Sequence, residues 1–339
     1  FLTVGGRPVA GVGAASATVR EALRMPAPRD ALHDPLQPDL FRPAPSPEPT
    51  TPARVTSSAR KTRRPHTRPA PANRSAESTC DRIQYVFDGS FDGFLTAVAE
   101  ALRRGHAPRT FLANERRQSD LFDRECLIRT DADAAAAFWK RLCNSLSGRA
   151  RRTVVHAWLN GRLACRRDLF EYLRLGLKKG KALDRHLTHP SVRAVHTAAR
   201  QVRHEIHRFG GLLRFRCVAG TRFYAPFRPD HDILCPVAAL FRRRLPNQEW
   251  VIHDVGRNLA MRWNGKRLDP VPPPDKTRLP IPDGTGEPLP AQEQEIQQLW
   301  RTFFDAVAVP GRTNPRLQRA FMPRRYWPFL VEMARKSER

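Results

Sequence analysis

The sequence predicts an α+β fold: an antiparallel sheet built from a β-β-α-β-β unit, covered by a helical layer and preceded by a disordered Pro/Arg-rich arm. Three observations carry this. In several stretches apolar residues recur at steps of three and four, the period of a helix with one buried face. Beyond residue 212 they alternate instead, the period of a half-buried strand. Finally, 13 of the 31 prolines fall in the first 80 residues, which contain none of the six tryptophans or four tyrosines. Blocks such as RPAPSPEPTTPARV bury too little apolar surface to offset chain entropy, so residues 1–80 are expected to be disordered and dispensable for folding. The expected organisation is an arm (1–80), an α+β domain (81–266), a Pro-rich connector (267–290) and C-terminal helices that pack on the same domain (291–339).

Taken in order, RIQYVFDGSFDGFLTAVAEALRRGH reads as a strand from Ile83 to Phe87, a turn at Asp88 and Gly89, and a helix from Ser90 or Phe91. Residues Ala132 to Leu146 and Arg151 to Leu177 have helical composition. In HPSVRAVHTAARQVRHEIHRFGG, the residues Val192, Val195, Ala199, Val202, Ile206 and Phe209 form one buried face. Pro190 suits the first turn of that helix, and Gly210-Gly211 suits its stop. Next, LLRFRCVAGTRFYAPF reads as a hairpin around Ala219-Gly220-Thr221, with Cys217 opposite Phe223 and Arg216 opposite Tyr224. Its open face would carry Arg214, Arg216 and Tyr224. A helix from Ile233 to Arg244 and the strands EWVIHD and NLAMRWNG complete the unit. The last segment places Ile296, Leu299, Trp300, Phe303 and Val307 on one helix face, and Asn314 caps a helix that has Pro315 at its first position.

The chain has 59 basic and 33 acidic residues, a net charge of +26 and a pI near 11.2. Such a balance points to a polyanionic partner, because Lys and Arg that neutralise phosphates release counterions. Only eight of the basic residues are Lys, so part of the Arg excess can reflect a GC-rich coding sequence. The arm holds 12 basic and 6 acidic residues, which leaves +20 on the remainder. Candidate nucleic-acid contacts are Arg200 and Arg203, in a stripe with His196 and His207; Arg214, Arg216 and Tyr224 on the hairpin; Arg242, Arg243 and Arg244; and Arg324 and Arg325, beside Tyr326 and Trp327. Basic residues interleaved with aromatics suit phosphates and bases. A solvated helix face and the wet side of a sheet are the ordinary alternatives.

The stretch FYAPFRPDHDILCP sets Asp230, His231 and Asp232 side by side between a strand and a helix. Two roles remain open. Either acid can cap the helix N-terminus, or the group can join His207, His253, Asp254 and Glu205 in an acid-base or metal-assisted site. The stretch RHEIHRF has histidines at i and i+3, so it is not the H-E-x-x-H of a zinc protease. There is no P-loop, G-x-G-x-x-G or nucleophile elbow, and the six cysteines show no C-x-x-C spacing. Neither a metal site nor a cofactor is expected. The opening FLTVGGRPVAGVGAASA looks like a signal peptide interrupted by Arg7 and Pro8, with Met25 as one candidate for the true start. No run of about 18 apolar residues occurs, so a cytoplasmic protein without a membrane partner is expected.

Five ordered stretches, YVFDGSFDGFLTAV, HRFGGLLRFR, YAPFRPDHDIL, WVIHDVGR and NPRLQRAFMPRRYW, together resemble a family of DNA-repair or DNA-metabolism proteins. Members of that family accompany a radical-SAM DNA modification or repair protein in bacteria, and the same domain also occurs fused ahead of a uracil-DNA-glycosylase-like domain. The resemblance covers Ile83 to Glu332. It implies an accessory protein that binds DNA and works with a radical-SAM partner enzyme. It carries over no catalytic residues, and the Cys-x3-Cys-x2-Cys pattern of radical-SAM enzymes is absent from this chain. The alternative is an enzyme acting on nucleic acid through the His/Asp cluster.

Overall fold

Five consecutive buried residues, IQYVF, make β1 (Ile83–Phe87) the central strand of a three-stranded sheet. β2 (Thr110–Ala113) and β3 (Arg124–Leu127) flank it in the order β2-β1-β3, and both pairings are parallel. Burial along the whole strand is what a parallel sheet with covered faces requires. The computed structural model describes residues 83–114, 124–219, 222–273 and 289–334. These lie in one of the chain's two compact units, and the other, Met25–Thr79, is outside them. The expected arm, the hairpin tip Gly220-Thr221 and connector residues 274–288 therefore lie outside the described residues.

The DGSFDG stretch turns β1 into α1 (Phe91–Arg104). Gly89 has φ 84°, which lets the chain reverse. Asp88 Oδ1 accepts from the Ser90 N–H at 2.9 Å and its hydroxyl at 2.7 Å. Ser90 Oγ, at the N-cap, accepts from the Gly93 N–H at 2.9 Å. Gly93 is glycine for want of space, since a Cβ there would stand 2.2 Å from Asp88 Oδ1 and 2.7 Å from Thr130 Oγ1.

The helical layer follows. Asp131 caps α2 (Ala132–Ser145), and Ser147 caps α3 (Gly148–Leu159). The stretch of helical composition from Arg151 to Leu177 is helical in two pieces: it breaks after α3, where Gly161 adopts φ 73°, and resumes as α4 (Leu163–Lys179). The long α5 (Pro190–Leu212) starts at Pro190, as its sequence indicates, but runs through Gly210-Gly211 instead of stopping there. Its buried face includes Val192, Val195, Ala199, Val202 and Phe209. Packing of that face supplies the stability that the two glycines cost.

The second sheet comprises β4 (Arg216–Ala219), β5 (Arg222–Phe227), β6 (Glu249–Asp254), β7 (Leu259–Trp263) and β8 (Leu268–Val271), paired in that order. It corrects the antiparallel expectation. β5 and β6 are parallel because α6 (Leu234–Arg244) carries the chain back to the starting edge. The other pairings are antiparallel, so the sheet is mixed. β8 lies in the stretch expected to be connector, and its Pro270 sits on a sheet edge, where a missing N–H is tolerated. One continuous core links both sheets and the helices up to α6, and reaches Tyr326.

At the C-terminal end, α7 (Ala291–Ala306) buries Glu293 but leaves Ile296, Leu299, Phe303 and Val307 exposed. Asn314 caps α8 (Pro315–Phe321) by accepting from the Leu317 N–H. The chain then passes through a 3₁₀ turn, Arg324–Phe329, which buries Tyr326 and Trp327.

Replacing Gly93 with Ala forces its Cβ against Asp88 and Thr130, and should cost about 1–3 kcal/mol, the range for overpacking a filled site. Urea unfolding of the variant measures this. An unchanged midpoint would show that the β1–α1 turn has slack.

Candidate functional site

The centre of the site is Glu205, a carboxylate on α5 that is only 2% exposed. It accepts from the backbone N–H of Asp230 at 2.7 Å and of His231 at 2.9 Å. The Nδ1–H of His231 and the Tyr326 hydroxyl complete four donors. Burial alone would raise its pKa, but the hydrogen bonds from His231, Tyr326 and the two backbone groups outweigh it and hold the carboxyl below its ordinary value. On the Tyr326 side, burial and the Glu205 hydrogen bond raise the phenol's pKa. Arg325 lies 4.8 Å from the centre of the Tyr326 ring and pairs with the Asp230 carboxylate.

A second acidic pair stands at the carboxyl ends of β5 and β6. Asp254, fully buried, accepts from Arg257 through both side chain (2.8 Å) and backbone (3.1 Å). Arg257 also donates to the carbonyls of Pro229 and Asp230, stapling the turn after β6 to the loop after β5. Burial raises the Asp254 pKa against the pull of Arg257. Burial, with a smaller push from Asp254, raises Asp232 to about 6. Neither acid caps α6: its N-cap is Ile233 with no side-chain hydrogen bond, and the Asp232 N–H goes to the Leu159 carbonyl. The capping role expected for Asp230 or Asp232 is thus replaced by cross-links to other elements.

The expected His/Asp cluster divides. Asp232 and Asp254 are neighbours, and His231 belongs to Glu205. His253 is fully buried on the other face of β6, where its Nδ1 bonds the Tyr224 hydroxyl at 2.8 Å. His207 is exposed on α5. Among the described residues, no group of three or more His, Cys, Asp and Glu is placed to hold a metal ion.

The hairpin register matches the sequence expectation, with Arg216 opposite Tyr224 and Cys217 opposite Phe223, but its open face does not. Tyr224 is 1% and Arg216 7% exposed, because residues from later in the chain close over them. Buried Glu293 of α7 accepts from the Cys217 N–H at 3.0 Å and lies close enough to act on the Arg216 charge. Arg214 precedes the strand, pairs with Glu332 at 2.6 Å and lies over the Trp300 ring. These residues and Arg325 are therefore tied into the protein.

Of the remaining candidates, Arg203, His207 and Arg244 meet at one groove. Arg200, Arg203 and His207 are exposed along α5, and Arg242, Arg243 and Arg244 are exposed at the end of α6. The two elements enclose a groove of about 530 Å³ lined by His156, Arg203, Ile206, His207, Gly210, Gly211, Leu240 and Arg244. Arg244 is oriented by donating to the Gly210 carbonyl and lies over the Phe241 ring. On the α3 wall, burial first and then Arg203 and Arg152 lower His156 to about 4, so its ring is neutral at pH 7. Arg324 is also exposed, over Trp327.

Sequence reasoning did not assign His156, Arg257 or Tyr326 to a site. The helix-period stripe that marks Arg203 and His207 has no counterpart for His156, which enters only because α3 packs against α5.

This geometry defines a basic α+β domain with a cationic groove beside a buried acid network. Residues 165–332 match the family model of a domain of unknown function, DUF4130. The matched span includes Glu205, Asp232, Asp254 and most of the groove, but not His156 or the three-stranded sheet. No curated protein and no solved structure matches the chain.

Removing the Glu205 carboxylate strands two backbone N–H groups, an imidazole and a phenol. Glu205→Ala should therefore cost about 3–5 kcal/mol, as for other broken buried charge networks. Because the folded-state pKa is depressed, the charge-dependent stabilisation is complete above the unfolded value of about 4.3 and is lost as pH falls through the folded value. The stability margin of the native chain over Glu205→Gln should therefore be full at pH 7 and shrink below that point in urea titrations. Equal margins at pH 7 and in acid would contradict the ionised acceptor.

Proposed function

We propose that this domain binds DNA through the groove between α5 and α6, as an accessory to DNA repair or modification that works beside a radical-SAM enzyme. The observation that carries the binding is the meeting of Arg203 and His207 with Arg244, about 40 residues apart in sequence, on one groove. Self-pairing sharpens it: Arg214 and Arg325 spend their charge on Glu332 and Asp230, while Arg242 and Arg243 are left exposed. The repair context rests on the resemblance of the five sequence stretches.

Contacts to about four to six phosphates give a slope of log K against log salt of roughly −3 to −5, with little dependence on base sequence. Arg203→Ala with Arg244→Ala should flatten that slope by up to about two units on unrelated sequences alike. Titration of labelled oligonucleotides at several salt concentrations measures both. A flat salt response, or no binding at low ionic strength, would defeat the proposal.

One observation favours a second reading, acid-base chemistry on nucleic acid. Asp232 and Asp254 sit where parallel strands end, the position at which open sheets gather ligands, and a carboxyl near 6 can exchange protons close to neutral pH. On this reading Asp232→Asn abolishes turnover of labelled DNA and leaves the binding slope unchanged. Absence of any turnover by the native chain, with or without divalent cations, removes it.

A further inference from the structure

We infer that the α5–α6 groove is a single-nucleotide pocket, which receives one unstacked base of a single strand on its apolar floor and the adjoining phosphates on its cationic rim. The inference rests on the DNA-binding proposal and adds the state of the strand and the part of the nucleotide that enters.

Shape is the first ground. Neutralising phosphates along a duplex needs a basic surface but no concavity. This groove holds about 530 Å³, within the roughly 300–1,000 Å³ typical of pockets for small organic ligands.

The lining is the second. Ile206 and Leu240 supply an apolar floor, while Arg203, His207 and Arg244 stand around it. A phosphate alone needs no apolar floor, and an apolar ligand needs no arginines. A nucleotide unit uses both, with a flat ring for the floor and an anion for the rim. His156 adds a wall that can form hydrogen bonds without adding charge, since its ring stays neutral at pH 7.

The glycine pair is the third ground. Gly210 and Gly211 lie inside the last turn of α5, where each costs about 1 kcal/mol relative to Ala. Neither has a positive φ, so the backbone conformation does not demand them. Gly210 lets Leu240 of α6 pack close, and Gly211 leaves main chain bare. A Cβ on Gly210 would come 3.1 Å from Leu240 Cδ2, whereas one on Gly211 would point into open space. A planar ring can lie against the open main chain at Gly211, and the neighbouring Gly210 carbonyl holds Arg244 beside it.

The test uses the full chain and four probes matched in charge: a thymidine oligonucleotide, the same strand with every base replaced by an abasic tetrahydrofuran, a blunt duplex, and polyglutamate. Anisotropy titrations at one salt concentration should show the thymidine strand bound several-fold more tightly than the abasic strand, because only a base buries apolar surface against Ile206 and Leu240. Gly211→Leu, which fills the pocket from its open side, should erase that difference while keeping the salt slope and the melting temperature. The comparison of thymidine with abasic strand in the native chain needs no variant, so it stands even if Gly211→Leu fails to fold. Equal affinity for these two strands, preference for the duplex, or equal binding of polyglutamate would overturn the pocket and leave the phosphate-binding proposal intact in the first two cases. Failure to bind any nucleic acid at low salt would overturn both.

Discussion

Four hydrogen-bond donors from two separate parts of the chain meet on the carboxylate of Glu205, and the placement of the functional surfaces follows from that meeting. The loop after β5 is held to α5 by the Asp230 and His231 N–H groups, and this sets where α6 begins. Tyr326 ties the C-terminal 3₁₀ turn to the same oxygen pair. A buried carboxylate is tolerated only when its lone pairs are filled, so the three segments cannot drift independently. Because α5 contributes Glu205 to the interior and Arg203 and His207 to the outside, the acid network and the groove share one rigid helix.

The arginines illustrate how a very basic chain sorts its charge. Those that face a carboxylate or lie under another element, Arg214, Arg216, Arg257 and Arg325, orient loops and close surfaces. Arg200 on α5 and Arg242 and Arg243 at the end of α6 are exposed instead. Net charge alone therefore overstates the binding surface, and the distinction is geometric.

Much of this arrangement is legible in the sequence where local rules decide. The β1 boundaries, the Ser90 and Asn314 caps, the Pro190 start and the Arg216–Tyr224 register all follow from short-range chemistry. The parallel β5–β6 pair was also within reach, since a strand, a helix and a strand in succession imply a crossover. Other features depended on residues far along the chain. The hairpin's alternation is real, yet which face is wet depends on Glu293, some 76 residues later. The two aspartates resemble caps from their spacing, but Asp230 is tied to Glu205 and Asp232 to Leu159, both of which lie before them in sequence and reach them only through the fold. The stripe on α5 could be drawn from its period, while its meeting with Arg244 and His156 required coordinates.

The distance in sequence between Glu205 and Tyr326, 121 residues, has a consequence for synthesis on the ribosome. Every residue that lines the groove has been made once Arg244 has been added, whereas the phenol that completes the buried carboxylate emerges more than 80 residues later. The nascent domain thus passes through a stage in which α5 can present its cationic side while its acid still lacks a donor and Arg216 and Cys217 still lack the Glu293 carboxylate. Closing so long a loop costs only slightly more entropy than closing a short one, so the delay is set by translation. During that interval the unfinished sheet face is the surface a chaperone would meet.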